Sequence, residues 1–427
     1  MKAISKKAMS ELDKIIGIAQ NYREGTISES MFYDVVFALK ENDEQIPRYK
    51  EYLLENEILI VSDNEDIEDS DETIDDSISI KPYDPSNIDI SLKSLSLSLI
   101  VDRLNADEID LIPDFQRKSG LWSEQQKSQL IESLILRIPL PAFYFDGSYN
   151  DKWVVIDGLQ RLTAIKEFFV DKTLRLSGLE FVKDLTNTTF DDLPRVYTRR
   201  MLETQIISYI INPGAPVNLK YNIFKRINTG GLRLEPQEIR HALYQGFATK
   251  YLKKLADLEI FKKATGFSVK TDRMLDREFV LRFIAFYELH ENNYKGSIEL
   301  FLNDAMEYLN KEYNEYTAEK FELKFEKVLK LNIDIFDKFA FRKMPDIIKR
   351  RPISKALFET WTTSLARLSD EEMSMLLLKK DKLINKYMLM HQNDKDFVDS
   401  LSSAKVYSIK KRFNDIQKLI KEVLLDA

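Results

Sequence analysis

The stretch Trp153-Val154-Val155-Ile156-Asp157-Gly158-Leu159-Gln160-Arg161 sets the reading of the chain. Its first four residues are large and apolar, two of the three types β-branched, as a buried strand requires. Asp157-Gly158 breaks the strand, and Leu159 to Phe169 returns to helical spacing. A strand that feeds a helix through a glycine turn points the first, unpartnered helix amides toward the turn, beside the positive end of the helix dipole. Gly158 lets an anion approach the backbone closely. Arg161, on the first helical turn, can add a two-pronged contact to a phosphate. Asp157 is a poor anion ligand; it suits a magnesium ion or a water to be oriented. The same residues also read as an aspartate cap beside a surface arginine, and the turn alone leaves both readings open.

Working outward, Ser123 to Leu136 reads as a helix capped by Ser123 with Gln126 three residues on, its inner face Leu130, Ile131, Leu134 and Ile135. Pro139-Leu140-Pro141 stops it and starts a strand from Ala142 to Phe145, and Asp146-Gly147-Ser148 reads as a turn. Before it, residues 88–101 suggest a strand turning into a helix, and Ile109, Leu111, Ile112 and Pro113 a short strand that delivers Phe115-Gln116-Arg117. After it come a strand from Thr204 to Ile211, a helix from Asn218 to Ile227, a loop Asn228-Thr229-Gly230-Gly231 and a helix from Glu235 to Tyr244. Residues 88–247 thus read as a small α/β domain, and 248–427 as an all-helical one. The fold class is α+β.

The 427 residues are 44% hydrophobic and 31% charged with 12 glycines and 12 prolines, a composition that favours long helices. The absence of cysteine excludes disulfides, thiolate metal sites and cysteine nucleophiles. No stretch approaches the ~18 apolar residues of a membrane span, and the first twenty residues lack a signal-peptide core, so the expectation is a cytoplasmic protein without membrane partners. The net charge of −7 hides an asymmetry: residues 1–90 carry 9 basic and 22 acidic side chains, leaving 54 basic and 48 acidic in the rest. Residues 1–62 read as an acidic helical module built on Leu12, Ile15, Ile16 and Ala19, then Met31 to Leu39, then Pro47 to Glu55, with Gly25 to Ser28 as a break and Ile58 to Val61 as a short strand. Residues 63–87 read as an acidic flexible linker, nine of the fourteen residues from Asp63 to Asp76 being acids. The order of helices, short strand and acidic tail resembles the acidic N-terminal region of primary bacterial sigma factors, which implies a module that occupies a nucleic-acid channel.

A second resemblance carries chemistry. Phe115-Gln116-Arg117 with Trp122, Ser128 to Ser133, Ile138 to Pro141, Asp157-Gly158-Leu159-Gln160-Arg161, and Phe224 to Gly231 with Glu238-Ile239-Arg240 stand in the order and spacing of the N-terminal domain of GmrSD-type restriction enzymes, marked by an Asp-Gly-Gln-Gln-Arg motif. The resemblance implies a fold shared with ParB and sulfiredoxin, in which this turn binds the phosphates of a nucleoside triphosphate and can support hydrolysis with magnesium. It gives Asp157, Gly158, Gln160 and Arg161 the phosphate-site role, with Gln160, Arg161 and Asp157 as the hydrolytic group and Asp157 as the metal ligand. It brings Gln116 and Arg117 to the same pocket, completed by Asn228. One position departs: the motif's first Gln is Leu159 here, either a lost amide or a residue facing the core. Hydrolysis needs a positioned water as well as a cradle, so binding survives that change more easily than turnover.

Many such relatives continue into an HNH-type nuclease, whose chemistry needs a histidine base beside a metal. His241, His290 and His391 are the only histidines and none has that setting, so no HNH nuclease is expected. The basic segment from Arg342 to Arg351, with Lys355, offers phosphate contacts to DNA or a solvated surface. The expected protein is a nucleotide-dependent switch or triphosphatase of bacterial defence against foreign DNA, gating an effector or partner protein; the residues leave a homo-oligomer open. The alternative is a non-catalytic DNA-binding or regulatory protein whose acidic arm mimics DNA.

Overall fold

The structure, a computed structural model, describes residues 5–22, 26–28, 32, 35–36, 39, 45–56, 58–61, 89–111, 122–149, 152–214, 217–227, 235–271 and 273–426. It is a mixed α+β protein in two units, one of residues Ser79–Gln245 and one of Met1–Ile78 with Gly246–Ala427. The segment 63–87, expected as a linker, lies outside the described residues, as do Gln116, Arg117 and Asn228.

In the second of these units the N-terminal module comprises α1 (Lys6–Tyr22), β1 (Thr26–Ser28), α2 (Ile46–Glu55) and β2 (Leu59–Val61). Leu12, Ile15, Phe32, Leu39 and Leu53 form its core. The expected break at 25–28 is instead a strand at 26–28: β1 pairs in parallel with β2, Ile27 opposite Ile60, and buries Ile27. A three-residue strand is too short to show an alternation in sequence, so only its distant partner reveals it.

The α/β unit contains β3 (Ile90–Ser96), α3 (Leu97–Asn105), β4 (Ile109–Asp110), α4 (Glu124–Ile135), β5 (Phe143–Tyr149), β6 (Lys152–Asp157), α5 (Leu159–Ile165), α6 (Arg195–Leu202), β7 (Gln205–Ile211), α7 (Val217–Ile227) and α8 (Pro236–Leu243). The strands form one mixed sheet in the order β3-β7-β5-β6-β4. Strands β3 and β7 run antiparallel, β7 and β5 parallel, β5 and β6 antiparallel, β6 and β4 parallel. Alternation places Phe143, Phe145, Val155, Ile206 and Ile210 in one core with Ile131, Leu134, Leu162 and Phe168. The Ser123–Gln126 capping box that starts α4 is present in full.

Two features of the sheet depart from the sequence reading. Asp146-Gly147-Ser148 is not a turn but part of β5. A Cβ on Gly147 would stand 2.8 Å from Ile210 Cγ2, so glycine here serves close strand packing. The buried Asp146 carboxylate takes hydrogen bonds from Lys220 Nζ on α7 at 3.0 and 3.1 Å, which lets a charge lie within the sheet. The second feature is a bulge: Phe145 faces Val155 and Tyr144 faces Asp157, so Ile156 is an extra residue on β6 and re-aims Asp157 at the strand end.

The helical region runs from α9 (Phe247–Asp257) through α10 (Glu259–Ala264), α11 (Leu275–Ile284), α12 (Ile298–Glu312), α13 (Glu315–Phe336), α14 (Lys355–Ala366), α15 (Asp370–Leu378), α16 (Lys380–Asn393) and α17 (Lys395–Ser400) to α18 (Val406–Leu425). Glu359 of α14, wholly buried, pairs with Arg282 of α11 at 3.0 Å and with Arg412 of α18. Such a network fixes which helix faces meet, because any other packing strands a charge in the core.

Candidate functional site

Gly158 is the hinge of the site. Its φ of +100° lies where a side chain is strained, and an added Cβ would stand 2.5 Å from the Phe143 ring. Glycine is therefore demanded twice, by conformation and by contact. The chain then enters α5, which continues as a π-turn over Lys166–Val170. The amides of Leu159, Gln160 and Arg161 open the helix and have no acceptor four residues back.

Arg161 folds back across the turn rather than outward. Its Nη2 lies 2.8 Å from Asp157 Oδ2, Nη1 donates to the carbonyl oxygen of Pro141, and both donate to that of Ala142 at 3.3 Å. Its guanidinium also sits 4.4 Å from the Phe143 ring centroid, where a cation is favoured. Burial draws the Arg161 pKa down, and the Asp157 charge and hydrogen bond oppose it. The arginine expected to reach for a phosphate is thus also a strut that ties the start of β5 to the turn. Asp157 keeps Oδ1 without a hydrogen-bond partner among the described residues, and its side chain is 32% exposed against 12% for Arg161.

Gln160 Oε1 accepts the Trp122 N–H at 3.3 Å and so links the turn to the start of α4. Leu159 packs against the core, which decides between the two meanings of the departure from the motif: this side chain faces inward. The structure brings Asp157, Gly158, Gln160 and Arg161 together. Among the described residues, no group of three His, Asp or Glu side chains gathers to hold a metal. Asp157 is the one residue of the turn that would hold a magnesium ion.

The polar cluster on α4 has a structural task. Glu132 accepts the backbone N–H groups of Phe181 and Val182 on Oε1 at 2.7 and 2.9 Å and that of Glu180 on Oε2 at 3.1 Å. Burial by itself raises its pKa, but the three amides outweigh burial and hold the carboxyl below its ordinary range. Ser128 accepts the Ser177 N–H at 2.9 Å, and Lys127 pairs with Glu167 at 2.7 Å. Glu238 closes a capping box with Glu235 at the start of α8, and Arg240 is buried over Tyr221. Sequence reasoning missed Asp146 and Lys220, which are 74 positions apart with no shared motif.

The basic segment after α13 is neither a helix nor a bare cationic surface. Arg342 is buried and donates to the carbonyls of Arg351 and Thr265 and to Ser268 Oγ. Arg350 donates to the Gly266 carbonyl at 3.1 Å, Arg351 pairs with Asp346 at 3.0 Å, and Lys355 lies 3.4 Å from Glu278. Much of the charge there holds loops together. No helix among the described residues is long and apolar enough to cross a membrane.

No curated protein and no solved structure matches the chain. Its residues 99–245 match the family model of the GmrSD restriction endonuclease N-terminal domain, a span that begins in α3, contains the Asp157–Arg161 turn and ends after α8. Four of the five strands, the glycine turn and the motif order already described fall within that span, with β3 just before it, and the α/β unit of this chain carries a GmrSD-type N-terminal domain.

Proposed function

We propose that the α/β unit is a nucleotide-binding switch in restriction-related defence against foreign DNA, seating the phosphates of a nucleoside triphosphate at the Gly158–Arg161 turn. The observation that carries it is the locked turn itself: a glycine at φ +100°, three helix-opening amides after it, and an Asp157–Arg161 pair at 2.8 Å across its mouth. Amides at a helix start favour an anion, and beside them the Arg161 guanidinium is already held in place by Asp157, Pro141 and Ala142. In this reading the unbonded Asp157 Oδ1 would take a magnesium ion or orient a water for slow hydrolysis. The effector it would gate is the helical region or a partner protein.

The test is calorimetric titration of the full chain with ATP, GTP and CTP, with and without magnesium, together with a phosphate-release assay. Arg161→Lys keeps a charge but cannot make the fork. It is expected to lower affinity at least tenfold, with thermal unfolding reporting separately on the strut. Absence of binding by the unaltered chain to all three nucleotides refutes the proposal.

One contact favours a second, regulatory reading: Phe267 of the helical region packs against the core of the acidic module. An acidic module held on a basic region is arranged to compete with DNA. Removal of residues 1–80 is then expected to raise DNA affinity and steepen its salt dependence; equal affinity refutes it.

A further inference from the structure

One row of side chains crosses four strands of the sheet and ends at the turn. Leu92 on β3 is opposite Tyr209 on β7, Tyr209 is opposite Tyr144 on β5, and Tyr144 is opposite Asp157 on β6. The row lies on the face away from the main core, because its neighbours Leu95, Phe143, Phe145, Ile206 and Ile210 all point into that core. The far end of this face is covered, since Asp146 and Lys220 pair there beneath α7. The near end is open: Leu92 is 61% and Ile207 40% exposed, and Tyr144 and Tyr209 are half-buried.

Within the open part the two tyrosines cover each other's inner faces, which leaves the outer faces of the pair for a further ring. Their rings are stacked, with centroids 4.8 Å apart and planes 15° from parallel. Strand spacing puts Tyr144 about 5 Å and Tyr209 about 10 Å from Asp157 along the row. That is the reach of the sugar and base of a nucleotide whose phosphates rest at the turn.

We infer that Tyr144 and Tyr209 are the base-stacking subsite of the nucleotide bound at the Gly158–Arg161 turn. The inference rests on the function proposed above and adds the residues that hold the base. Every base has a π-face, so such a platform binds nucleotides with little base preference. It also supplies affinity that a bare phosphate chain cannot gain.

The test compares ATP with inorganic tripolyphosphate by calorimetry, on the full chain and on Tyr144→Leu, Tyr209→Leu and Tyr144→Phe. The Leu variants are expected to bind ATP about tenfold more weakly. Tripolyphosphate binding should be unchanged, and Tyr144→Phe should match the unaltered chain for ATP. Unchanged ATP affinity in both Leu variants overturns the subsite and leaves the phosphate site standing. Equal weakening of ATP and tripolyphosphate also overturns it, because the tyrosines would then only support the fold. If the unaltered chain binds neither ligand, the phosphate site and the subsite fall together.

Discussion

Replacing Gly158 by alanine separates two reasons for a glycine. The first is conformational: at φ +100° a side chain is disfavoured, which costs about 1–2 kcal/mol. The second is steric, since the new Cβ would stand 2.5 and 2.9 Å from two atoms of the Phe143 ring and 3.3 Å from Arg161 Nη2. Phe143 is buried against Phe145 and cannot swing out, so the overlap adds about 1–3 kcal/mol. Gly158→Ala should therefore lose about 2–5 kcal/mol. Gly214, in the same unit, has φ +97° and nothing within 4 Å of an added Cβ, so Gly214→Ala should lose only the conformational part, about 1–2 kcal/mol. Urea unfolding of both variants, followed by tryptophan emission, gives the difference. Trp122 and Trp153, both packed against the α/β core, report on that unit. Equal losses for the two variants would refute the steric argument, and no loss in either would refute the backbone geometry. The same substitution should abolish nucleotide binding, because it displaces Arg161.

Other substitutions test other parts of the structure. Glu132→Ala strands three backbone amides and should cost about 2–5 kcal/mol in urea unfolding. Because the folded carboxyl is held below its unfolded value, its stabilisation is present above about pH 4.3 and fades as pH falls through the lower folded value. The variant should show a flatter acid limb, and an unaltered limb counts against the amide clamp. Lys220→Met leaves Asp146 buried without its lysine and should cost about 3–5 kcal/mol, most of it recovered in Asp146→Leu/Lys220→Met; a double variant no better than the single speaks against the pair. His391 faces the Tyr387 carbonyl through Nδ1 at 3.0 Å while Nε2 is buried without a partner among the described residues, and burial lowers its pKa to about 4. The neutral ring's contribution is complete above about pH 6.5 and declines toward pH 4, by up to about 3 kcal/mol. His391→Phe should remove that decline, and an identical pH profile would exclude His391 as its source.

Local patterns made much of the architecture legible. Ser123 and Gln126 gave away the start of α4, because both halves of a capping box lie within four residues. The β-branched and aromatic run within Thr204 to Ile211 showed a strand, and Pro236 after Glu235 stands at the start of α8. The Asp157–Gly158 break was readable since a strand, a glycine and a helix are each short-range signals. Asp146-Gly147-Ser148 misled for the complementary reason: turn chemistry is local, while the Lys220 that holds Asp146 inside β5 comes from α7.

The sequence by itself determined that a glycine turn joins a strand to a helix at Asp157–Arg161, and that an α/β region precedes a helical one. Periodicity and turn residues act over a few positions, so they survive without knowledge of what packs on them. Tertiary structure alone decided what those side chains meet. It turned Arg161 inward onto Pro141 and Ala142, pointed Leu159 into the core and aligned Leu92, Tyr209, Tyr144 and Asp157 in one row. That row depends on the pairing order of four strands and on one bulge at Ile156, which are set by long-range register and by no local motif.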